Sequence, residues 1–331
     1  MKYSFIIPVY NRPDEVDELL RSLTKQSYPN DFEVVIIEDG SSIPSKEVCE
    51  KYSEILQIKY LFKENSGPGA SRNYGMERAA NDYFIILDSD CLLPEYYLEA
   101  VDDFLQKKYV DCFGGADDAD ASFTDIQKAI NYVMTSLLTT GGIRGNHKSV
   151  QKFEPRSFNM GLSRKAFQAT KGFGKIHPGE DPDLVIRLWQ QGFETAFIED
   201  AFVYHKRRIS WGKFKTQVSK FGQTRAILNH WHPHTKKATF WLPFCFSVGL
   251  LTSVLFACLG YFEGLYVYGC YFIFLLLDSS RSNKSLKIGI LSVWAVLVQF
   301  FGYGFGFFSA TLKLTFSNKK PEQLFPHLFF R

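Results

Sequence analysis

The sequence predicts an α/β domain built on a mixed, mainly parallel sheet, followed by C-terminal transmembrane helices. Two observations carry that expectation. Short apolar runs at residues 3–9, 33–37, 58–62 and 83–87 alternate with helix-like stretches, the pattern of parallel strands joined by crossover helices. The last third of the chain carries long runs without charge, at 238–262, 264–277 and 288–312. A membrane-spanning helix needs about 20 predominantly apolar residues, because its backbone polar groups must be satisfied within the segment.

Composition agrees with this division. The 331 residues are 46% hydrophobic and 22% charged, which excludes a disordered chain. The formal charge of +3 is a sum of unlike parts. Residues 1–205 hold 22 Lys/Arg against 32 Asp/Glu, residues 206–237 hold 9 Lys/Arg and no acid, and residues 238–331 hold 7 against 3. Three regions are therefore expected: an acidic α/β domain at 1–205, a basic interfacial collar at 206–237, and a membrane region of two or three hydrophobic helices at 238–331.

Taken in order, the first strand-like run leads into Pro13, Asp14 and Glu15, a helix start with proline in the first turn and acids facing the dipole. Val16, Leu19, Leu20 and Leu23 then recur at helical spacing. In a parallel sheet, ligand sites gather at the carboxyl ends of the strands. Those ends are polar here: Pro8-Val9-Tyr10-Asn11, Glu38-Asp39-Gly40-Ser41, the stretch from Asn65 to Asn73, and Asp88-Ser89-Asp90. The glycine-rich stretch 65–73 has neither the Walker nor the G-x-G-x-x-G pattern, so no P-loop or dinucleotide site is indicated. Asp88 and Asp90, one residue apart beyond an apolar strand, suit a hard divalent cation that keeps positions open for phosphate oxygens. Asp117-Asp118-Ala119-Asp120 offers the same spacing. It is the weaker candidate, because it precedes a helix-like stretch where capping acids are common.

The collar fixes an expected orientation. Nine Lys/Arg between 206 and 237 precede the first apolar run, which by the positive-inside rule places the N-terminal domain in the cytoplasm, beneath a multi-pass inner or plasma membrane anchor. Phe214, Val218 and Phe221 share a helical face, as expected of a helix lying on an anionic membrane surface. Because the basic run adjoins apolar spans, nucleic acid is not the expected partner. The third apolar run, with Gly289, Gly302, Gly304 and Gly306, is either a crossing or a re-entrant or interfacial segment. No signal peptide is expected, since Lys2 leads into a short run ended by Pro8. The six cysteines form no C-x-x-C pair, which fits reduced thiols. His230, His232 and His234 lack companion acids or cysteines and are not expected to bind zinc.

The ordered set 4–11, 35–41, Asn65-x-Gly67 with Arg72-Asn73, and Asp88-x-Asp90 resembles a family 2 glycosyltransferase of the GT-A fold. The resemblance continues through Asn159, Gly172-Phe173, Gly179-Glu180-Asp181-x-Asp183-Leu184, Arg187-Leu188 and Gly192, and covers about residues 3–208. It implies a nucleotide-sugar donor (a UDP-sugar favoured), Mg²⁺ or Mn²⁺, and inversion at the anomeric carbon. Carried onto this chain, it implies that Pro8, Tyr10 and Asp39 line the nucleoside pocket, with Arg72 by the nucleotide and Asp88 near the ribose or donor sugar. Asp90 and His205 are the implied metal ligands, Asp181 the general base, and Glu180, Asp183 and Asn159 acceptor contacts or supports.

Those residue types suit the chemistry: positive charge for a departing diphosphate, and one carboxylate to take the acceptor proton. Asp181-Pro182 also reads as an N-cap followed by proline at N1. Processive members carry Q-x-x-R-W near the membrane; Gln217-Val218-Ser219-Lys220-Phe221 is a softened echo. Transfer of one sugar per encounter is expected, to a membrane-held, lipid-linked saccharide. The alternatives are transfer to a polyprenyl phosphate and an inactive nucleotide-sugar-binding scaffold.

Overall fold

A computed structural model describes residues 1–118, 123–140, 153–205 and 210–330. The first half of the chain alternates strands and helices: β1 (Tyr3–Val9), α1 (Pro13–Leu23), β2 (Glu33–Asp39), α2 (Lys46–Tyr52), β3 (Gln57–Lys63), α3 (Pro68–Arg78), β4 (Tyr83–Leu87), β5 (Cys91–Leu92), α4 (Tyr97–Lys107) and β6 (Cys112–Asp118). Then come α5 (Asp125–Thr135), α6 (Leu137–Thr140), β7 (Asn159–Ser163), α7 (Arg164–Thr170), α8 (Glu180–Gln190) and β8 (Thr195–His205). The remainder is helical: α9 (Trp211–Trp231), α10 (Leu242–Ala257), α11 (Glu263–Ser282), α12 (Leu286–Phe316) and α13 (Pro321–Leu324). The chain divides into two compact units. The first comprises Met1–Asp120, Ser149–Lys206 and Phe330–Arg331; the second comprises Ala121–Lys148 and Arg207–Phe329.

The first unit holds an eight-stranded sheet in the order β3-β2-β1-β4-β7-β6-β8-β5. β1 pairs in parallel with β2 and β4, β2 with β3, and β6 with β8, while β7 runs antiparallel to β4 and β6. The sheet is mixed and mainly parallel, as predicted. Its inner strands are apolar on both sides because helices cover both faces. Phe5 and Ile7 of β1, Val34 and Ile36 of β2, and Tyr83 and Ile85 of β4 pack with Val16, Leu19 and Leu20 of α1 and Leu98 and Val101 of α4. The alternate residues Ile6, Val35, Ile37, Phe84 and Ile86 pack with Met76 of α3 and Leu184, Val185 and Leu188 of α8. Since β1, β2, β3 and β4 all run the same way, their polar carboxyl ends lie along one edge of the sheet.

The second unit is all helix among the described residues. α9 and α12 approach closely, and the reason is compositional. A Cβ added at Gly222 of α9 would lie 2.2 Å from the Tyr303 carbonyl oxygen and 2.7 Å from the Phe307 nitrogen of α12, backbone atoms that cannot yield. From α12, Gly306 faces the Ser219 carbonyl in the same way, while Gly302 faces the Val218 side chain. The glycines of the third apolar run are therefore contact points within a continuous 31-residue helix; small residues allow helix backbones to approach.

The apolar face of α9 predicted to lie on a membrane, with Phe214 and Val218 fully buried, is instead packed into this bundle with Ile130, Val133, Leu275, Val296 and Phe300. Residues 123–140 also belong to this unit, unlike the sequence-based division, which placed them in the first domain. α5 opens with a Thr124–Gln127 capping box, and its Asp125 pairs with Lys287 at 2.8 Å. Among the described residues, two helical stretches are long and apolar enough to cross a membrane: Ala238–Ala257, only 6% buried, and Leu286–Phe316, 39% buried. α11, the expected second crossing, carries Glu263, Asp278 and Arg281 and is not among them.

Candidate active site

The strand ends of the first unit are built into a site by side-chain to backbone ties. Beyond β1, Asn11 adopts a positive φ of 54°. Its amide oxygen accepts from the backbone nitrogens of Ser42 (2.8 Å) and Ile43 (3.0 Å), and its own nitrogen donates to Ser41 Oγ (2.7 Å). Glu38, wholly buried, accepts from the Ser45 nitrogen at 2.7 Å and hydroxyl at 2.6 Å and so fixes the same turn. Pro8 lies in register with Ile37, and Tyr10 projects from this edge, 53% exposed.

Asp39 is 4% exposed and organises the next loop. Its Oδ1 accepts from the Ser66 nitrogen (2.9 Å) and the Lys63 ammonium, and its Oδ2 accepts from the Gly67 nitrogen (2.9 Å). A carboxylate has about four acceptor positions, so one remains for a ligand. The same Lys63 also donates to Ser66 Oγ at 2.6 Å.

Arg72 of α3, 4% exposed, is the electrostatic hub. Its Nη2 donates to Asp88 Oδ1 at 2.7 Å and its Nη1 reaches Glu180 Oε1 at 3.5 Å, while the guanidinium lies 5.3 Å from the Phe173 ring centre. One buried cation thus joins the end of β4 to the start of α8. Its Nε is shut off from solvent without a hydrogen-bond partner.

The start of α8 differs from the sequence expectation in one respect. Asp181 is not the N-cap. Gly179, at φ 123°, takes that position, and Asp181 falls within the first turn. Glycine can adopt the turn that starts the helix two residues earlier. The Asp181 carboxylate is held by the Ser157 nitrogen at 3.2 Å through Oδ2, and its Oδ1 is buried without a partner. Burial and the neighbouring Glu180 charge raise its pKa, against the opposing pull of Arg72, Arg156 and the Ser157 hydrogen bond. Glu180 moves the other way. Burial works against its charge, but His177, whose Nδ1 lies 2.8 Å from Oε1, and Arg72 outweigh it and lower the pKa. Adjacent carboxyls in unlike surroundings are driven apart, one firmly ionised and one more basic.

Asp88 and Asp90 stand half-exposed at the end of β4. β5 follows at once, and its Cys91 pairs with His205 at the end of β8. The strand pairing therefore brings His205 to the residue next to Asp90. A carboxylate and an imidazole there suit a divalent cation by donor chemistry. Among the described residues no three His, Cys, Asp or Glu side chains form a ready metal cage, and the His205 side chain lies outside that description. In the competing acidic run, Asp117 and Asp118 end β6 opposite Val203 and Tyr204; residues 119 and 120 lie outside the described residues, as do Lys206, Arg207 and Arg208.

Two residues given an acceptor or supporting part are tied into the domain by their own polar contacts. Asn159 is fully buried, accepting from Tyr97 (2.6 Å) and donating to the carbonyls of Ala201 (2.8 Å) and Ala116 (3.2 Å). Asp183 holds Arg187 at 2.8 Å, and Arg187 donates in turn to the carbonyls of Thr170 and Gly172. Sequence reasoning misses His177 and Lys63 outright. It singles out Asn73 without its task, which is to clamp both the nitrogen (2.8 Å) and the carbonyl (2.9 Å) of Phe173. A polar residue has no visible partner in a letter string when that partner is 100 positions away.

Comparison with known proteins now bears on this arrangement. The sequence pattern of Glycosyl transferase family 2 matches residues 4–170. The chain belongs to glycosyl transferase family 2. Among relatives of this family 2 glycosyltransferase, Glycosyltransferase GlyG of Streptococcus pneumoniae is 30% identical over 62% of this chain and 70% of its own length. The poly(ribitol-phosphate) beta-N-acetylglucosaminyltransferase TarS of Staphylococcus aureus is 34% identical over 34% of this chain, a match spanning only 20% of TarS. The minor teichoic acid biosynthesis protein GgaA of Bacillus subtilis is 26% identical over 76% of this chain and 54% of its length. In structure, mannosyltransferase PcManGT from Pyrobaculum calidifontis, solved with GDP-Man and Mn²⁺, superposes with a TM-score of 0.66 at 15% identity, covering 96% of this chain and 88% of its own. TarS 1-349 with UDP-GlcNAc superposes at 0.52 and 17% identity, covering 96% and 93%. These likenesses show the GT-A-type fold predicted from the strand-end motifs.

Proposed function

We propose that this family 2 glycosyltransferase moves one sugar from a nucleotide-diphosphate donor to a saccharide hydroxyl with inversion, Asp181 acting as the general base. The observation that carries this is the split pair at the start of α8: Asp181 raised, with one oxygen shielded and unpartnered, beside an ionised Glu180. In the transfer, the acceptor oxygen bonds to the anomeric carbon as the bond to the diphosphate oxygen breaks. The electron pair leaves with the nucleoside diphosphate, and the acceptor proton goes to Asp181. A raised carboxyl pKa makes that proton transfer more favourable near neutral pH.

Pro8, Tyr10 and the free acceptor position of Asp39 would receive the nucleoside. Arg72 acts by holding Asp88 towards the donor and Glu180 ionised behind the base. Asp90 and His205 would hold Mg²⁺ or Mn²⁺, which supplies positive charge for the departing diphosphate. TarS, solved with UDP-GlcNAc, and GgaA support a UDP-sugar donor and an acceptor of the teichoic-acid or cell-wall polymer class. The apolar stretch Ala238–Ala257, little of which is buried, supports a membrane location, with an acceptor presented at the bilayer, and the basic residues before it support a cytoplasmic catalytic unit.

Replacing Asp181 by Asn keeps the shape of the site and removes the base. Transfer, followed as nucleoside diphosphate released to a polymer acceptor, is expected to fall by about 10²–10⁴-fold, with nucleotide-sugar binding retained. Wild-type turnover in Asp181→Asn would sink the assignment. A thermal-shift series with UDP-, GDP- and dTDP-sugars plus Mn²⁺ names the donor class.

A further inference from the structure

We propose that Phe330 is a positioning residue for donor binding: a strap that holds the loop carrying Asp39's partners and the loop leading to Asp181 in one arrangement. The inference rests on the donor site proposed above. Gly67 sits at φ 89° and donates its N–H to Asp39 Oδ2. At that backbone angle an L side chain is strained, so the loop cannot cover itself there. The Phe330 ring does so instead: a Cβ built on Gly67 would fall 2.3 Å from Phe330 Cδ2.

The same residue is tied to the opposite loop. Its backbone nitrogen donates to the Lys175 carbonyl at 3.1 Å, and its ring lies 5.6 Å from the His177 ring, centre to centre. His177 is the partner that helps keep Glu180 ionised beside Asp181. Between the loops lies a cavity of about 290 Å³ lined by Ser66, Gly69, Asn73, Phe173, His177 and Phe330. Phe330 is thus a wall shared by the two halves of the site, and lies more than 150 positions from the nearer loop. Removing the ring leaves both loops attached to their own elements but no longer packed on a common partner.

The test uses the full chain in detergent, comparing wild type with Phe330→Ala and Phe330→Tyr. Hydrogen exchange of the amides around 65–67 and 173–177 is expected to speed up in the alanine variant and to return to wild type in the tyrosine variant. With UDP-GlcNAc as donor probe, the alanine variant is expected to raise the donor KM about fivefold, the scale of one lost aromatic contact, with kcat within about twofold. Unchanged exchange in both loops would overturn the strap. So would tighter donor binding in the alanine variant, which would make the ring a plug. If wild type itself bound no nucleotide sugar, the donor-site reading would fail, while the exchange measurement would still decide whether Phe330 holds the loops.

Discussion

The two units bury polar groups of different kinds. In the first, the buried interior includes Glu38, Asp39, Arg72, Glu180 and Asp183, all charged and each held by an ion pair or by hydrogen bonds. In the second, the buried polar residues among those described are Thr224, Asn229, Ser247, Ser279, Ser292 and Gln299, none of them charged. One unit uses partly desolvated charges to fix a reactive geometry. The other uses small side chains to bring helices together. Desolvating a charge is costly unless it is paired, so the first unit is expected to fail by losing a partner and the second by gaining volume.

The largest break in that contrast is Arg72→Met. It leaves Glu180 and Asp88 facing each other without their cation, and removing one partner of a buried pair costs about 3–5 kcal/mol. Thermal melting should show the loss, and nucleotide binding should go with it. A melting curve that overlays wild type would mean the guanidinium is dispensable.

Gly222→Leu is the matching change in the second unit. Its side chain has only the α12 backbone to enter, and overpacking of this kind costs about 1–3 kcal/mol. The unit should lose stability in detergent while donor binding survives. Loss of donor binding with unchanged stability would be the opposite of what the comparison demands.

The smallest effect is on pH dependence. Asp181 is raised above its ordinary value of 3.8, so the folded state holds that proton more tightly than the unfolded chain. Its contribution to stability is therefore best below 3.8 and declines as pH rises through the raised value. Glu180, lowered from 4.5, contributes stability above that value and loses it as pH falls through the lowered one. Asp181→Asn should flatten the first slope and favour the folded state near neutrality, and Glu180→Gln should destabilise it. Melting temperatures of both variants from acid to neutral pH check the signs; equal slopes would remove the basis for distinguishing the two carboxyls.

Much of the first unit is legible in the sequence because its signals are local. A strand shows itself in consecutive residues, and a polar cluster after it marks a loop at the sheet edge, so the Pro8, Asp39, Arg72 and Asp88 stretches can be placed from the order of residues alone. Partnerships are not legible in that way. Arg72 meets Glu180 108 positions away, and Phe330 lies beside Gly67, so neither contact leaves a trace in spacing. The expected start of α8 is two residues off because the backbone angle of Gly179 cannot be seen in a letter string. The glycines of α12 are open to reading as interruptions, whereas in the fold they are where neighbouring helices come closest.

Helix α5 carries a practical consequence for anyone cutting this chain. A soluble catalytic fragment ending at residue 205, the boundary suggested by charge, would retain α5 while discarding Phe214, Val218, Leu275, Ala295 and Val296, the residues that cover its Ile130 and Val133. The fragment would display an uncovered apolar helix and invite aggregation. The hydrophobic burden of the tail is thus partly lodged inside the sequence of the enzyme itself, and trimming the end of the gene does not remove it.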